Sequence, residues 1–262
     1  MLGGRKDYSA PSVFLPENLL REARRQKNLP LEPVPAICVL DPDGDLVRHL
    51  CATDRAEPCR FWACYHTDLH RFTHDGDTFG IIGCAVGAPF AVLLAEQLFA
   101  SGCRFLISIT SAGQLLPLPR TPCFILIDRA LRDEGTSRHY LPPTLFAHAD
   151  AALARRAAAA LAATRLPVRQ GATWTTDAPF RETEAAITRA RAKGALAVEM
   201  EAAALYAFAQ ARHRPVLCFA HVTNQMARIE GDFEKGEANG AHDALDLLAA
   251  TARAWRATEA AP

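Results

Sequence analysis

The sequence lacks an excess of charge of either sign. Its 262 residues include 29 Lys and Arg and 29 Asp and Glu, so the formal net charge at neutral pH is zero. A protein that binds along the phosphates of a nucleic acid needs a broad positive field, and we therefore expect no nucleic-acid partner. Because half of the residues are hydrophobic, the chain is expected to bury a core and not to be disordered.

Long apolar runs are also missing, and the first residues do not have the composition of a leader segment. The longest apolar stretch begins at Phe79, is interrupted by Gly83, Gly87 and Pro89, and ends at Glu96. It is shorter than the roughly 20 apolar residues that a membrane helix requires. The first residues contain no apolar run that could form the core of a signal peptide. We therefore expect no membrane partner and a cytoplasmic location.

Metal-binding patterns are sparse. The eight cysteines contain no Cys-x-x-Cys pair, and in a reducing cytoplasm such thiols act mainly as small buried hydrophobes. His66, His70 and His74 are four residues apart, which would place them on one face of a helix or strand. Residues 74–77, however, have the composition of a hairpin turn. We predict no metal site. The alternative is a metal ion bound by this histidine cluster.

Short apolar segments alternate with helical patterns along most of the chain. The predicted strands are Ala36–Leu40, Phe79–Cys84, Arg104–Thr110, Cys123–Ile127, Val168–Thr175, Leu196–Val198 and Val216–Val222. The predicted helices are Glu17–Arg25, Pro89–Ser101, His148–Thr164, Arg181–Arg191, Glu201–Ala211 and Asn239–Ala257. Strands that are apolar on both faces and alternate with helices indicate a largely parallel sheet covered on both sides. We expect one α/β domain over residues 36–262, preceded by an extension over residues 1–35.

Two strand ends have a composition suited to an anion. Ligands of such sheets bind where strands end and loops begin. Gly83 and Gly87 precede a helix start, where the backbone can approach a ligand and the helix terminus favours negative charge. Ser108, Thr110 and Ser111 end a buried strand, and their hydroxyls could hold phosphate. The alternatives are a tight turn and hydroxyls satisfied by local hydrogen bonds.

Two further strand ends carry polar groups in apolar surroundings. Glu199 and Glu201 lie one residue apart at a strand-to-helix junction, where two buried carboxylates are costly unless a ligand or firm partners bind them. A helix-dipole role for Glu201 is the alternative. Asn224 ends the last strand and could hydrogen-bond a planar heterocycle or merely cap its loop. Ser111 lies in Thr-Ser-Ala-Gly and not in a Gly-x-Ser-x-Gly elbow, which argues against a serine hydrolase.

Taken together and in this order, the segments resemble the nucleoside phosphorylase family, which includes uridine and purine nucleoside phosphorylases and related nucleosidases. The similarity runs from about Ala36 to Trp255. Residues 198–203 are similar to the family's sugar-binding signature, and residues 83–113 to its glycine-rich turn, helix and phosphate-loop strand. Residues 132–140 resemble a uridine-phosphorylase segment, and residues 175–180 the base-pocket stretch.

The resemblance implies a three-layer α/β domain with a mixed, largely parallel central sheet flanked by helices. It implies an assembly of two, three or six copies. The implied reaction is phosphate-dependent cleavage of a purine or pyrimidine nucleoside to the free base and a pentose 1-phosphate. The nucleoside and inorganic phosphate would then be the small-molecule partners, with phosphate as co-substrate and no cofactor.

The same resemblance assigns roles to individual residues. Glu201 would accept hydrogen bonds from the pentose hydroxyls and stabilise the cationic sugar of the transition state. Asn224 would donate a hydrogen bond to the departing base, on which Phe180 could stack. Met200 would pack on the apolar face of the sugar.

The remaining assigned residues concern substrate and phosphate binding. Ser111 and Thr110 would contact phosphate, together with the turn at Gly87, and Glu199 joins the substrate-binding set. The family's phosphate-binding arginines are replaced here, by Ser108 at one position and by residues 41–45 at another, and Arg48 is a candidate stand-in. This departure leaves two alternatives: a hydrolytic nucleosidase of the same fold and a non-catalytic nucleoside-binding protein.

Overall fold

The computed structural model describes residues 6–226, 230 and 232–259. The strands are β1 (Ile37–Asp41), β2 (Ala56–Pro58), β3 (His70–His74), β4 (Asp77–Gly83), β5 (Phe105–Gln114), β6 (Cys123–Asp133), β7 (Phe146–His148), β8 (Val168–Thr176), β9 (Ala195–Glu199) and β10 (Val216–Asn224). The α-helices are α1 (Pro16–Lys27), α2 (Asp45–Ala52), α3 (Ala88–Ala100), α4 (Ser137–Tyr140), α5 (Ala151–Ala162), α6 (Glu184–Ala192), α7 (Ala202–Arg212) and α8 (Ala241–Glu259). In the described part of the chain, none of these helices has the length and apolarity of a membrane span.

All of these strands belong to one mixed sheet. Its order is β10-β6-β8-β9-β5-β1-β4-β3-β2, with β7 beside β6 and a further pairing of β10 with β5. Strands β5, β10, β6, β8 and β9 therefore close a ring, while β1, β4, β3 and β2 extend from β5 as an open sheet. The pairings of β1 with β4 and β5, β5 with β10, and β8 with β6 and β9 are parallel.

The sheet has a hydrophobic core on each face. Along β1, Ile37 and Val39 pack into one core and Cys38 and Leu40 into the other, because successive side chains of a strand point to opposite faces. Helices α3 and α7 cover one face, and α2, α5 and α8 cover the other. The predicted three-layer α/β domain with a mixed central sheet is confirmed.

Several antiparallel elements were not predicted from the sequence. Strands β3 and β4 form a hairpin around Asp75 and Gly76, both of which have positive φ angles, as a two-residue hairpin turn requires. The turn expected at residues 74–77 is therefore present. Short strands β2 and β7, and helix α2, carry too few residues to show a clear hydrophobic period. Strands β2, β3 and β7 are antiparallel to their neighbours and make the antiparallel share of the sheet larger than expected.

The segment before the sheet packs against the domain. Leu20 and Ala23 of α1 are buried beside Ala63 and Ala100, so one stripe of this short helix is anchored against α3. The helix is two residues longer at its C-terminal end and one longer at its start than predicted, because Pro16 occupies the first turn, where no amide hydrogen bond is lost.

Candidate active site

The two glutamates at the junction of β9 and α7 lie deep in the protein. Glu199 is 3% exposed and Glu201 is 1% exposed. The gap between β9 and α7 is only two residues long, so both carboxylates lie at the C-terminal edge of the sheet, where the sequence placed them. Their surroundings differ, and this difference separates a positioning group from a group that is free to bind a ligand.

Glu199 is satisfied entirely by the protein. One carboxylate oxygen accepts from the hydroxyls of Thr173 and Thr175, at 3.0 and 2.5 Å. The other accepts from the backbone N–H groups of Glu201 and Ala202, both at 2.7 Å. These bonds satisfy first-turn amides of α7 that have no partner within the helix. The structure thus places Glu199 behind the site, where it orients the backbone of Glu201.

Glu201 keeps one oxygen free. Its Oε1 accepts from the backbone N–H of Gly87 at 2.6 Å, whereas Oε2 is buried without a hydrogen-bond partner among the described residues. Gly87 has a φ of 94°, a backbone conformation that favours glycine. A buried carboxylate oxygen without a partner is costly and is rare in native proteins, so Oε2 is the atom of this site best suited to a ligand donor.

Burial also changes the protonation of Glu201. Burial first, and the nearby charge of Glu199 second, raise the pKa of Glu201 to about 8. The folded protein therefore keeps a proton on this carboxyl between the ordinary pKa of 4.5 and about 8, and the unfolded chain loses it. Hydroxyl groups that donate to the ionised carboxylate would lower the pKa again.

This shift predicts a pH-dependent contribution to stability. Because the folded state binds the extra proton, the contribution of Glu201 to the free energy of unfolding is complete below about pH 4.5 and is lost as the pH rises through about 8. We expect denaturant unfolding at pH 6 and at about pH 8.5 to show a smaller loss of stability in Glu201→Gln than in the unchanged protein.

Comparing the unchanged protein and Glu201→Gln at the same two pH values cancels the contributions of other titrating groups to the change in stability. Burial lowers the pKa of His221 to about 4, which reduces stability as the pH falls and so acts in the opposite direction, but it does so in both proteins. If both proteins lose the same stability over this range, burial does not raise the pKa of Glu201.

The loop at the end of β5 holds an unexpected partner. The backbone N–H of Ser111 donates to the carboxylate of Asp43 at 3.0 Å, and the Ser111 hydroxyl donates to the same oxygen. Lys235 Nζ lies 3.4 Å from that oxygen and 2.5 Å from the carboxylate of Asp45. Thr110, the neighbour of Ser111, lies close enough for its hydroxyl to lower the pKa of Glu201, so this cluster adjoins the glutamate site.

Sequence reasoning missed Asp43 and Lys235. Asp43 lies in the stretch over residues 41–45 that follows β1. This stretch was interpreted as a turn and, through the resemblance, as the place of a missing phosphate-binding arginine, with no role given to Asp43 itself. Lys235 belongs to no motif, and it meets Asp43 across 192 residues of sequence. The position of Asp43 close after a parallel strand was a usable signal, whereas the position of Lys235 follows only from the tertiary fold.

Two residues bear on the missing phosphate-binding arginines: Arg48, the candidate stand-in, and Ser108, which replaces one of them. Arg48 donates to the Asp45 carboxylate at 2.6 Å and to the Asp43 carbonyl at 2.8 Å, and its side chain is 60% exposed. It lines a cleft of about 470 Å³ together with Cys84 and His66. Ser108 is buried in the core, and its hydroxyl has no partner among the described residues. It lies on β5 three residues before Ser111.

Asn224 lies across the sheet from the glutamates. On the backbone it pairs with Gly113 of β5, which in turn pairs with Val198 of β9. Its Oδ1 accepts from the N–H of Met226 at 2.8 Å, whereas its Nδ2 makes only long contacts, at 3.3 and 3.5 Å. The amide oxygen is therefore used by the loop, and the amide nitrogen is the group available to donate to a ligand.

The remaining predicted residues differ in their exposure. Met200, between the two glutamates, is half-buried. Phe180 lies on a short 3₁₀ helix and is fully exposed, so its stacking on a base stays a prediction. Arg132 is buried and donates to four groups of its own loop, among them Ser137. Gly135 N–H donates to Asp177 at 2.8 Å, which joins the segments over residues 132–140 and 175–180.

The histidine cluster does not assemble a metal site. In the part of the chain that the structure describes, no group of three or more His, Cys, Asp or Glu is positioned to hold a metal ion. His74 contacts Arg55 at 3.2 Å, and His66 and His70 line the cleft beside Arg48.

Comparison with known families covers most of the chain. Residues 36–254 match the model of the phosphorylase superfamily. The chain belongs to this superfamily. The matched region begins one residue before β1 and includes β5, β9, β10 and the loops after them, so all of the glutamate, serine and asparagine positions above lie within the superfamily's common domain.

Individual phosphorylases are similar in fold and more distant in sequence. Uridine phosphorylase from Vibrio fischeri ES114 superimposes with a TM-score of 0.71 at 22% identity, over 86% of this chain and 93% of that protein. Its complex with 6-hydroxy-1-naphthoic acid gives a TM-score of 0.65 at 20% identity, over 87% and 89% of the two chains. At these identities the superpositions show a shared fold.

Two curated relatives match part of the chain. A DeoD-type purine nucleoside phosphorylase from Myxococcus xanthus (strain DK1622) is 33% identical over 139 residues, which is 52% of this chain and 58% of that protein. Uncharacterized protein R802 of Acanthamoeba polyphaga mimivirus is 27% identical over 160 residues, 58% of this chain and 59% of that protein. The chain thus matches less than two thirds of the length of each relative.

Proposed function

We propose that this member of the phosphorylase superfamily cleaves the N-glycosidic bond of a purine or pyrimidine nucleoside. The observation that carries the proposal is the buried Oε2 of Glu201, which has no partner among the described residues. A pentose hydroxyl is a neutral donor of the right size to satisfy it. Because Glu201 is 1% exposed, the covering side chains must move for a pentose to reach this oxygen.

The proposed chemistry separates two charges. As the bond breaks, positive charge develops on the sugar and negative charge on the departing base. Glu201, ionised by the donors that the pentose supplies, lies where it can stabilise the sugar cation. The Nδ2 of Asn224, whose two contacts within the protein are long, at 3.3 and 3.5 Å, can donate to the base. Interactions that strengthen only in the transition state are the ones that raise the rate. An amide cannot act as a general acid, so the proton that the base gains comes from another source.

The acceptor of the pentose is the finer part of the proposal. Phosphate, giving a pentose 1-phosphate, is supported by the phosphorylases among the relatives. Water, giving a free pentose, is the second candidate and is favoured by the Asp43 carboxylate bound to both donors of Ser111. A panel of nucleosides, incubated with and without phosphate while base and pentose products are quantified, tests the function. Binding of nucleosides without release of base over hours would contradict cleavage and indicate a non-catalytic binding protein.

The role of Asn224 predicts a dependence on the leaving base. Asn224→Ala removes a donor to the negative charge on the base, and a poor leaving base develops more of that charge. We expect kcat/KM to fall by about tenfold or more for nucleosides with poor leaving bases and by much less for those with good ones. Equal losses across a series of bases with different pKa values would mean that Asn224 only holds the loop through Met226.

The assembly state stays a prediction. An assembly of two, three or six copies agrees with the complete exposure of Phe180 and the partial exposure of Val86 and Leu93, since a second copy could bury such apolar side chains.

A further inference from the structure

We propose that Asp43 determines the acceptor: its carboxylate occupies the place of an anion on the Ser111 loop, excludes phosphate and leaves water to receive the pentose. This inference rests on the proposed cleavage of nucleosides and adds the identity of the nucleophile. It concerns a residue of this chain that lies outside the sugar-binding and base-binding groups described above.

The first support is the occupancy of the donors. A loop that binds phosphate does so with backbone N–H groups and hydroxyls. Here the N–H and the hydroxyl of Ser111 both donate to one oxygen of Asp43, and Lys235 lies 3.4 Å from that oxygen. The contacts that would hold a phosphate oxygen are thus already made by a side chain of the protein.

The second support is charge. Asp41, Asp43 and Asp45 lie around this point. Among the described residues the nearby cations are Lys235 and Arg48, both of which are already bound to Asp45. Like charges brought together cost several kcal/mol, so a phosphate dianion is opposed unless Asp43 leaves. Ser108, buried in the core, provides no compensating contact.

The third support is space. The cavity lined by Asp43, Thr110, Ser111, His221 and Lys235, among others, has a volume of about 30 Å³. This volume is enough for a water molecule and far too small for a phosphate ion. The polar groups in its lining, among them Asp43, Ser111 and Lys235, supply the two or more partners that a held water needs.

The reaction is balanced with water as acceptor. The water oxygen forms a bond to the anomeric carbon while the carbon–nitrogen bond breaks, and the electron pair of that bond leaves with the base. One proton of the water passes to the Asp43 carboxylate and from there to solvent, and the base takes a proton from solvent. The products are the free base and the free pentose.

The test compares Asp43→Ala with Asp45→Ala, a matched loss of one carboxylate that leaves the donors of Ser111 occupied. Binding of inorganic phosphate is measured by calorimetry. We expect Asp43→Ala to bind phosphate at least about tenfold more tightly than the unchanged protein. Asp45→Ala should show a smaller increase in phosphate affinity. An equal or larger gain in Asp45→Ala, or none in Asp43→Ala, would overturn the proposal. Asp43→Asn, which keeps the side-chain volume, should show a gain in the same direction and replaces the alanine variant if that variant does not fold.

Product analysis supplies the second readout. The unchanged protein should release free pentose at the same rate with and without phosphate, and Asp43→Ala should form pentose 1-phosphate when phosphate is present. Formation of pentose 1-phosphate by the unchanged protein would overturn the proposal. If no nucleoside is cleaved by any of the proteins, the proposed function fails, and the phosphate-binding comparison still decides the role of Asp43.

Discussion

Replacing Glu201 by alanine is expected to lower kcat/KM for nucleoside cleavage by about a hundredfold to a thousandfold. Single electrostatic contacts to transition-state charge in other active sites have effects of this size. The contact in question is the Oε2 atom, buried and without a partner among the described residues, which we assign to the pentose. Steady-state rates of base release measure the effect directly.

The control for Glu201→Ala is a glutamate far from the site. Glu57 of β2 is 64% exposed and pairs with the exposed Arg71. Glu57→Ala should leave kcat/KM unchanged, since exposed ion pairs contribute little. If Glu201→Ala retained the kcat/KM of the unchanged protein while remaining folded, Glu201 would be a structural residue of the α7 start and not a catalytic one.

Replacing Glu199 by alanine is expected to reduce the free energy of unfolding by about 2–4 kcal/mol. The change leaves two backbone N–H groups and two threonine hydroxyls inside the protein without their acceptor. Thr173→Val, which removes one donor and leaves the carboxylate in place, should cost less than about 1.5 kcal/mol. Denaturant unfolding compares the three proteins, and a smaller effect of Glu199→Ala than of Thr173→Val would contradict the positioning role.

The isosteric change Glu199→Gln distinguishes an action of Glu199 on Glu201 from a contribution to the stability of the fold alone. The charge of Glu199 adds to burial in raising the pKa of Glu201. With a neutral side chain at residue 199, the pKa of Glu201 should fall below about 8. The pH profile of kcat/KM should shift to lower pH with it. A variant that is less stable but has an unshifted pH profile would show that Glu199 supports the fold without acting on Glu201.

The sequence was informative wherever structure followed from local pattern. The segments that became β1, β5 and β10 are apolar on both faces, because helices cover the sheet on both sides, and this pattern predicts buried strands directly. The junction of β9 with α7 was equally clear, since Glu199 and Glu201 lie together in an otherwise apolar segment. Their proximity to the ends of β5 and β10 followed from the rule that strand ends of such sheets meet.

Long-range pairing was beyond the sequence. Nothing local distinguishes Glu199, which the protein satisfies completely, from Glu201, which keeps a free oxygen. The difference arises from Thr173 and Thr175 on β8, a strand brought beside β9 by the fold. Likewise, the encounter of Asp43 with Ser111 and Lys235 joins three distant segments. Short elements such as β2 and β7 escaped prediction because tertiary pairing, and not their composition, makes them strands.

The central claim, that Glu201 holds the pentose through its hydroxyls, is tested most directly by removing each partner of that contact separately. The measurement is the ratio of kcat/KM for a ribonucleoside to kcat/KM for its 2′,3′-dideoxy analogue, in the unchanged protein and in Glu201→Gln. We expect a ratio of about a hundred or more in the unchanged protein, falling at least about tenfold in the variant, because groups in contact show coupled effects. The same ratio in both proteins would contradict a contact between Glu201 and the pentose hydroxyls.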